Sequence, residues 1–282
     1  MQYLKQAEAV AANTNRYIAI LILVLSLSDF AESQSSLETV KIPSGHFEAF
    51  WIDTKPIKGV DGKEIPVVRD ISISSFESMV TQVTNKDYLE FLKKHPQWRK
   101  SQIKRVYAEE AYLENFESDL KLKPKVNPLA PVTYVSWFAA RAFCKSQGLR
   151  LPNLEEWEYM ALASETKKNA YKDQEFLNRI LDWYGRPDSQ TSLPQTQSVY
   201  KNIYGVYDLH GLVWEWISDY NSSFVTGESR SDTSFNRDLF CGGGSMSGGN
   251  KENYAAFMRF GFRSSLKKGD FTVWNLGFRC IK

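Results

Sequence analysis

Cys144, Cys241 and Cys280 are the residues of this chain with the widest chemical range. A thiolate is a nucleophile, a redox partner and the soft ligand that copper(I) prefers. Three cysteines leave at least one unpaired within a monomer, and the sequence allows three pairings. Cys241 stands directly before Gly242-Gly243-Gly244-Ser245, where backbone can approach closely, and His210, Met246 and Met258 supply further soft or borderline donors. That set admits a Cys/His/Met copper site, but the favoured reading is the commoner one, a buried, inert thiol. Other chemistries find little support. His46, His95 and His210 are scattered, no nucleophile elbow occurs, and Gly242 to Gly249 lacks the Lys-Ser/Thr ending of a phosphate-cradling loop.

The segments that must position these residues carry start and stop signals. Thr84 with Asp87 three residues later opens a helix whose apolar face is Tyr88, Phe91 and Leu92. Ser136 caps a second, ending at Gly148, and Asn153 with Glu156 forms a capping box for a third that contains Trp157. Asp173 caps a fourth, in which Phe176, Leu177, Ile180, Leu181 and Tyr184 recur at helical spacing before Gly185. Val40 to Phe47 reads as a strand breaking into a turn, and Val67 to Ile73 as another strand. Arg99 to Lys125 mixes both signs of charge and reads as a solvated excursion rather than a docking surface. From Pro187 onward the chain is rich in Gly, Ser, Asn and aromatics, which suits an irregular α+β fold.

Bulk properties narrow the class. A chain of 282 residues buries a substantial core as one large domain or two small ones. Aromatics at 14% with eight Trp and a mean hydropathy of -0.40 argue against a membrane bundle and against disorder. A net charge of +2 carries no nucleic-acid footprint. The N-terminus differs in kind: Tyr17 to Leu27 is an apolar run followed by Ser28, Asp29 and Ala31. At about 1.5 Å per residue it falls short of a bilayer core of about 30 Å, so residues 1–31 read as a secretory signal, with 37–282 as the domain. A buried core helix or an uncleaved anchor is the alternative. Export implies a periplasmic or secreted protein with no stable membrane span after cleavage, and one disulfide plus one odd thiol.

Five segments, in order, carry a family resemblance. They are Val80-Thr81-Gln82-Val83-Thr84-Asn85; Pro131 to Trp137; Arg150-Leu151-Pro152-Asn153 through Tyr159; Asn202 through Trp216; and a C-terminal frame of Cys241 to Ser245 with Asn275-Leu276-Gly277-Phe278-Arg279-Cys280. Together, over roughly residues 40 to 282, the chain resembles the sulfatase-modifying-factor domain of formylglycine-generating enzymes. More narrowly, Asp87 to Trp98 and Phe240-Cys241-Gly242 resemble the periplasmic branch found as accessory proteins beside copper nitrite reductases.

The resemblance implies a single α+β domain of the C-type-lectin-like type with little regular secondary structure, and a disulfide between Cys144 and Cys280 that leaves Cys241 as the free thiol. It places Ser245, Trp214 and Asn275 where the family contacts substrate, although Trp214 beside Trp216 also suits plain scaffold. It places Asp208, Gly211, Val213 and Glu215 at a calcium site of side-chain and carbonyl oxygens, with Asp208 replacing the usual amide. The family oxidises a substrate cysteine with dioxygen through a pair of thiols that bind copper(I). Those positions fall near Gly248 and Asn253, and no cysteine lies between Ser245 and Cys280. The expectation is therefore an accessory or binding module for a periplasmic partner such as a copper enzyme. A formylglycine-generating oxidase and a lectin-like peptide or glycan binder are the alternatives.

Overall fold

The computed structural model describes residues 37–48, 57–58, 63–65, 70–185, 192–220, 255, 258–259, 261–263, 265–266 and 268–282. The expected signal sequence, Cys241 to Ser245, Met246, Gly248 and Asn253 lie outside them. The described fold is mixed α+β, with four α-helices bounded within the described residues, further helical residues between 255 and 265, and five two-stranded sheets. None of these helices is long and apolar enough to cross a membrane.

The N-terminal half of the framework is a long antiparallel ribbon broken in the middle. Strand β1 (Thr39–Ile42) continues into β2 (Gly45–Glu48). After the short pair β3 (Ile57–Lys58) and β4 (Glu64–Ile65), the chain returns as β5 (Asp70–Ile73) and β6 (Phe76–Met79). β2 pairs with β5 from Gly45↔Ile73, and β1 with β6 from Ile42↔Phe76. Alternation puts Ile42, Phe47, Ile73 and Phe76 into the core, as period-2 patterning requires.

Each of the four helices starts at its expected cap. Helix α1 (Asn85–Lys94) has a complete capping box, Thr84 Oγ1 accepting from Asp87 N–H while Asp87 accepts from Thr84 N–H. Ser136 caps α2 (Trp137–Ser146), Asn153 and Glu156 form the box of α3 (Leu154–Ala161), and Asp173 caps α4 (Gln174–Tyr184). Gly148 follows α2 at φ 71°, the left-handed turn that glycine makes without strain.

Between α1 and α2, β7 (Phe116–Ser118) and β8 (Lys121–Leu122) form a small hairpin. Here the structure corrects the expectation of a solvated excursion. Ala108, Tyr112, Leu113 and Phe116 are buried, and Tyr112 Oη meets Tyr88 Oη at 2.7 Å. The charges decorate the outside of a segment that supplies core, because apolar residues spaced among charges were masked by the charge count.

The C-terminus closes the fold. β9 (Trp214–Glu215) and β10 (Leu276–Gly277) pair in parallel, and Ile281 then bridges to Ser78 and Arg150 on either side. A Cβ on Gly277 would lie 2.8 Å from the Val132 carbonyl oxygen, so only glycine permits this close approach. Phe278 packs edge-on against Phe143 at 5.4 Å and Tyr88 at 6.3 Å, joining β10 to α1 and α2. The disulfide between Cys144 of α2 and Cys280 fixes that junction across 136 residues of chain. A bridge closing so long a loop contributes on the order of 4–5 kcal/mol in the chain-entropy model.

Candidate functional site

The β9–β10 pair presents two chemically different neighbours. Trp214 is half-buried, and its N–H donates to the Asn275 carbonyl at 2.8 Å, so two of the expected pocket residues are adjacent. The third, Ser245, lies outside the described residues. Asn275 Oδ1 is buried without a hydrogen-bond partner among the described residues. The indole of Trp214 lies nearly parallel to the rings of Tyr184 at 5.1 Å and Phe262 at 4.3 Å, with Trp183 at 5.0 Å. Helix α4 therefore sends its last two aromatic side chains onto the tryptophan, and the site is an aromatic stack.

Glu215 sits in a buried ionic network. Arg279 donates from Nε to Oε2 at 2.8 Å and from Nη2 to Oε1 at 2.7 Å. Gln82 Nε2 donates to Oε1 at 2.8 Å, and Trp157 Nε1 to Oε2 at 2.9 Å. Four donors thus saturate one carboxylate, which is how a buried charge is tolerated.

Asp208 is also buried, at a left-handed φ of 57°. Its Oδ2 accepts from Gln197 N–H at 2.5 Å and its Oδ1 from Val199 and Tyr200 N–H at 2.9 and 3.3 Å. It organises the turn that carries residues 197–208. The same Gln82 amide that donates to Glu215 also donates to the Asp208 carbonyl at 2.8 Å.

This arrangement does not fit the calcium expected at Asp208, Gly211, Val213 and Glu215. Both carboxylates are committed to N–H donors, and a donor amide bridges the Asp208 carbonyl to Glu215 where a hard cation needs oxygens. Among the described residues, no three His, Cys, Asp or Glu side chains form a group able to hold a metal ion.

A second buried carboxylate, Glu158 of α3, is clamped by two arginines on helical backbone near the C-terminus. Arg259 Nη2 reaches Oε2 at 2.9 Å and Arg263 Nη1 reaches Oε1 at 2.5 Å. Burial alone would raise the Glu158 pKa, but the two guanidiniums outweigh it and hold it at about 2. Trp157 joins the two clusters: its edge donates to Glu215, and Arg263 lies over its face at 4.5 Å. Tyr184 is half-buried, and its enclosed hydroxyl beside Arg259 is pushed up to about 12, chiefly by desolvation.

His210 packs edge-on against Trp157 at 5.6 Å. Its Nε2 lies 3.0 Å from the Ala161 carbonyl, which can only accept, so Nε2 carries the proton and Nδ1 keeps its lone pair. Burial, reinforced by Arg259, lowers its pKa to about 3 and keeps the ring neutral. Of the Cys/His/Met set, His210 is thus a buried ring whose Nδ1 has no partner among the described residues, and Met258 is half-buried. Cys241 and Met246 lie outside the described residues. The Cys144–Cys280 disulfide leaves Cys241 as the one unpaired cysteine of the chain.

Gln82, Glu158, Arg259, Arg263 and Arg279 were not singled out from sequence. A signal for three of them is present: Trp157-Glu158-Tyr159, Phe262-Arg263 and Phe278-Arg279-Cys280 set a charge against large apolar neighbours. A charge in that setting needs a buried counter-charge.

Residues 26–282 match the sulfatase-modifying factor enzyme 1-like domain. The chain is 29% identical over 222 residues to "Inactive C-alpha-formylglycine-generating enzyme 2" of Bos taurus, covering 64% of this chain and 70% of that protein. It is 31% identical over 184 residues to the formylglycine-generating enzyme of Streptomyces coelicolor, covering 59% and 56% respectively. With the formylglycine-generating enzyme of Mus musculus the identity is 33% over 168 residues, covering 53% and 43%. The chain thus spans about half the length of these two relatives named as enzymes. The solved structure of PvdO from Pseudomonas aeruginosa is similar at 18% identity and a TM-score of 0.46, covering 89% of this chain and 96% of that one, too distant to carry an argument. The match over 26–282 is decisive, and the chain belongs to the sulfatase-modifying factor enzyme 1-like domain family.

Proposed function

We propose that this chain is an exported family member without the family's thiol chemistry, acting as an accessory or binding module for a periplasmic partner such as a copper enzyme. The observation that carries the reading is the distribution of sulfur. Cys144 and Cys280 are bonded to each other, and no cysteine lies between Ser245 and Cys280, so one chain offers a single thiol. A two-coordinate copper(I) site made of thiolates needs two. The residues present do not fit it.

The apolar run Tyr17 to Leu27 and the disulfide support export to an oxidising compartment. Retention of the frame without its reagents supports binding over turnover, within a domain of the C-type-lectin-like type. The oxidase reading draws its support from the relatives named formylglycine-generating enzyme. Competition titration with a copper(I) chelator tests the choice. Binding that is abolished by Cys241→Ser at one ion per two chains, or absent altogether, supports the proposal. Tight binding within one chain, unaffected by Cys241→Ser, contradicts it.

A further inference from the structure

A cavity of about 430 Å³ opens between the start of α1, the loop 124–134 and Trp274. It lies within the size range of small-molecule sites. Its lining includes Asn85, Asn115, Thr133, Tyr134 and Trp274, and among the described residues that line it Lys125 is the one charged group and no carboxylate occurs.

Asn85 is the informative residue. It is 1% exposed, and its Nδ2 donates to the carbonyls of Asn127 at 3.0 Å and Ala130 at 3.3 Å. Two carbonyl acceptors fix the amide's orientation. Its Oδ1 is then left without a partner among the described residues, a buried acceptor on the cavity wall. Leaving such an atom unsatisfied costs about 1–3 kcal/mol, which a ligand donor would recover. Lys125 and Tyr134 hold left-handed φ values of 74° and 56°, backbone strain that both place on the same wall.

We infer that this cavity binds a neutral, hydroxyl-rich ligand, one or two sugar rings in size. Asn115 Nδ2 already donates to Thr133 Oγ1 at 3.0 Å, so the wall offers the amide oxygens of Asn85 and Asn115 and the Tyr134 hydroxyl to the paired hydroxyls of a saccharide, with the Trp274 indole as an apolar surface for its C–H side. An extended peptide is the poorer fit, because it needs open main-chain groups. Among the lining residues, Pro124 and Pro131 have no backbone N–H, and those of Asn85, Val126, Ala130 and Tyr134 are already donated to Ala130, Lys123, Asn127 and Val273. This inference is independent of the sulfur argument above.

The full chain is titrated with methyl glucoside, methyl galactoside, N-acetylglucosamine and maltose, read by saturation-transfer NMR and calorimetry. At least one saccharide is expected to saturate with a Kd of about 1 mM or tighter. Ser192→Trp, at an exposed lining position, fills the mouth without touching the core, and Trp274→Ala removes the apolar face. Each is expected to weaken binding about tenfold or more while circular dichroism stays unchanged. No saturation by any of the four sugars, binding unaltered in both folded variants, or occupation of the cavity by a neutral peptide instead overturns the inference.

Discussion

Arg279 grips both oxygens of Glu215, at 2.8 and 2.7 Å, with both side chains fully buried. The register that pairs Gly277 with Glu215 across β9 and β10 brings them together. Removing one partner leaves the other charged and dry. Glu215→Gln should therefore cost about 3–5 kcal/mol in urea unfolding, whereas Glu215→Leu combined with Arg279→Met should cost less than the single change. A single variant as stable as the parent would mean that the pair is not buried as described.

The same saturation bears on calcium. A cation bound only by the folded state stabilises it by about 2.7 kcal/mol at a hundredfold excess over its Kd. Thermal melts with calcium and with a chelator should superimpose. An upward shift in calcium, lost in Glu215→Gln but kept in a variant outside the site, would restore the metal assignment.

Acid should unfold the protein in two overlapping windows of the same sign. Glu158 has its folded pKa lowered from 4.5 to about 2, so its contribution is complete above 4.5 and is lost as pH falls toward 2. His210 has its pKa lowered from 6.5 to about 3, so the unfolded chain takes up a proton that the folded one refuses. Stability then falls as pH drops below 6.5, with a limiting slope of about 1.4 kcal/mol per pH unit. His210→Gln, whose amide can still donate to Ala161, should flatten the melting temperature between pH 6.5 and 4.5 while leaving the Glu158 limb. An unchanged profile would show that His210 does not titrate this way.

Replacing both Cys144 and Cys280 by Ala releases a constraint spanning 136 residues and should destabilise the domain by about 4–5 kcal/mol. Denaturant unfolding of the oxidised parent against this variant measures it. Equal midpoints would mean that the parent does not carry the bridge.

Local rules made the helices legible. Thr84, Ser136, Asn153 and Asp173 are side chains that satisfy orphan N–H groups within three residues, so short-range chemistry suffices to place each start. The Trp214–Asn275 adjacency was legible through the family's motif order, not through spacing. Roles set by contacts distant in sequence were illegible: Gln82 reaches Glu215 across 133 positions, and Glu158 meets Arg259 across 101. The family resemblance placed a cation at Asp208 and Glu215, and motif position alone does not reveal which N–H donors fold onto their carboxylates. Tyr112 and Phe116 were concealed because a surrounding run of charges dominates composition while leaving the core face unchanged.

We propose that this member of the family does not carry out its cysteine oxidation. Incubation of the purified chain with a cysteine-containing sulfatase-motif peptide, copper(I) and oxygen, read by mass spectrometry, tests it most directly. The peptide is expected to keep its cysteine mass, with or without Cys241→Ser. Loss of the thiol mass with gain of an aldehyde would contradict it.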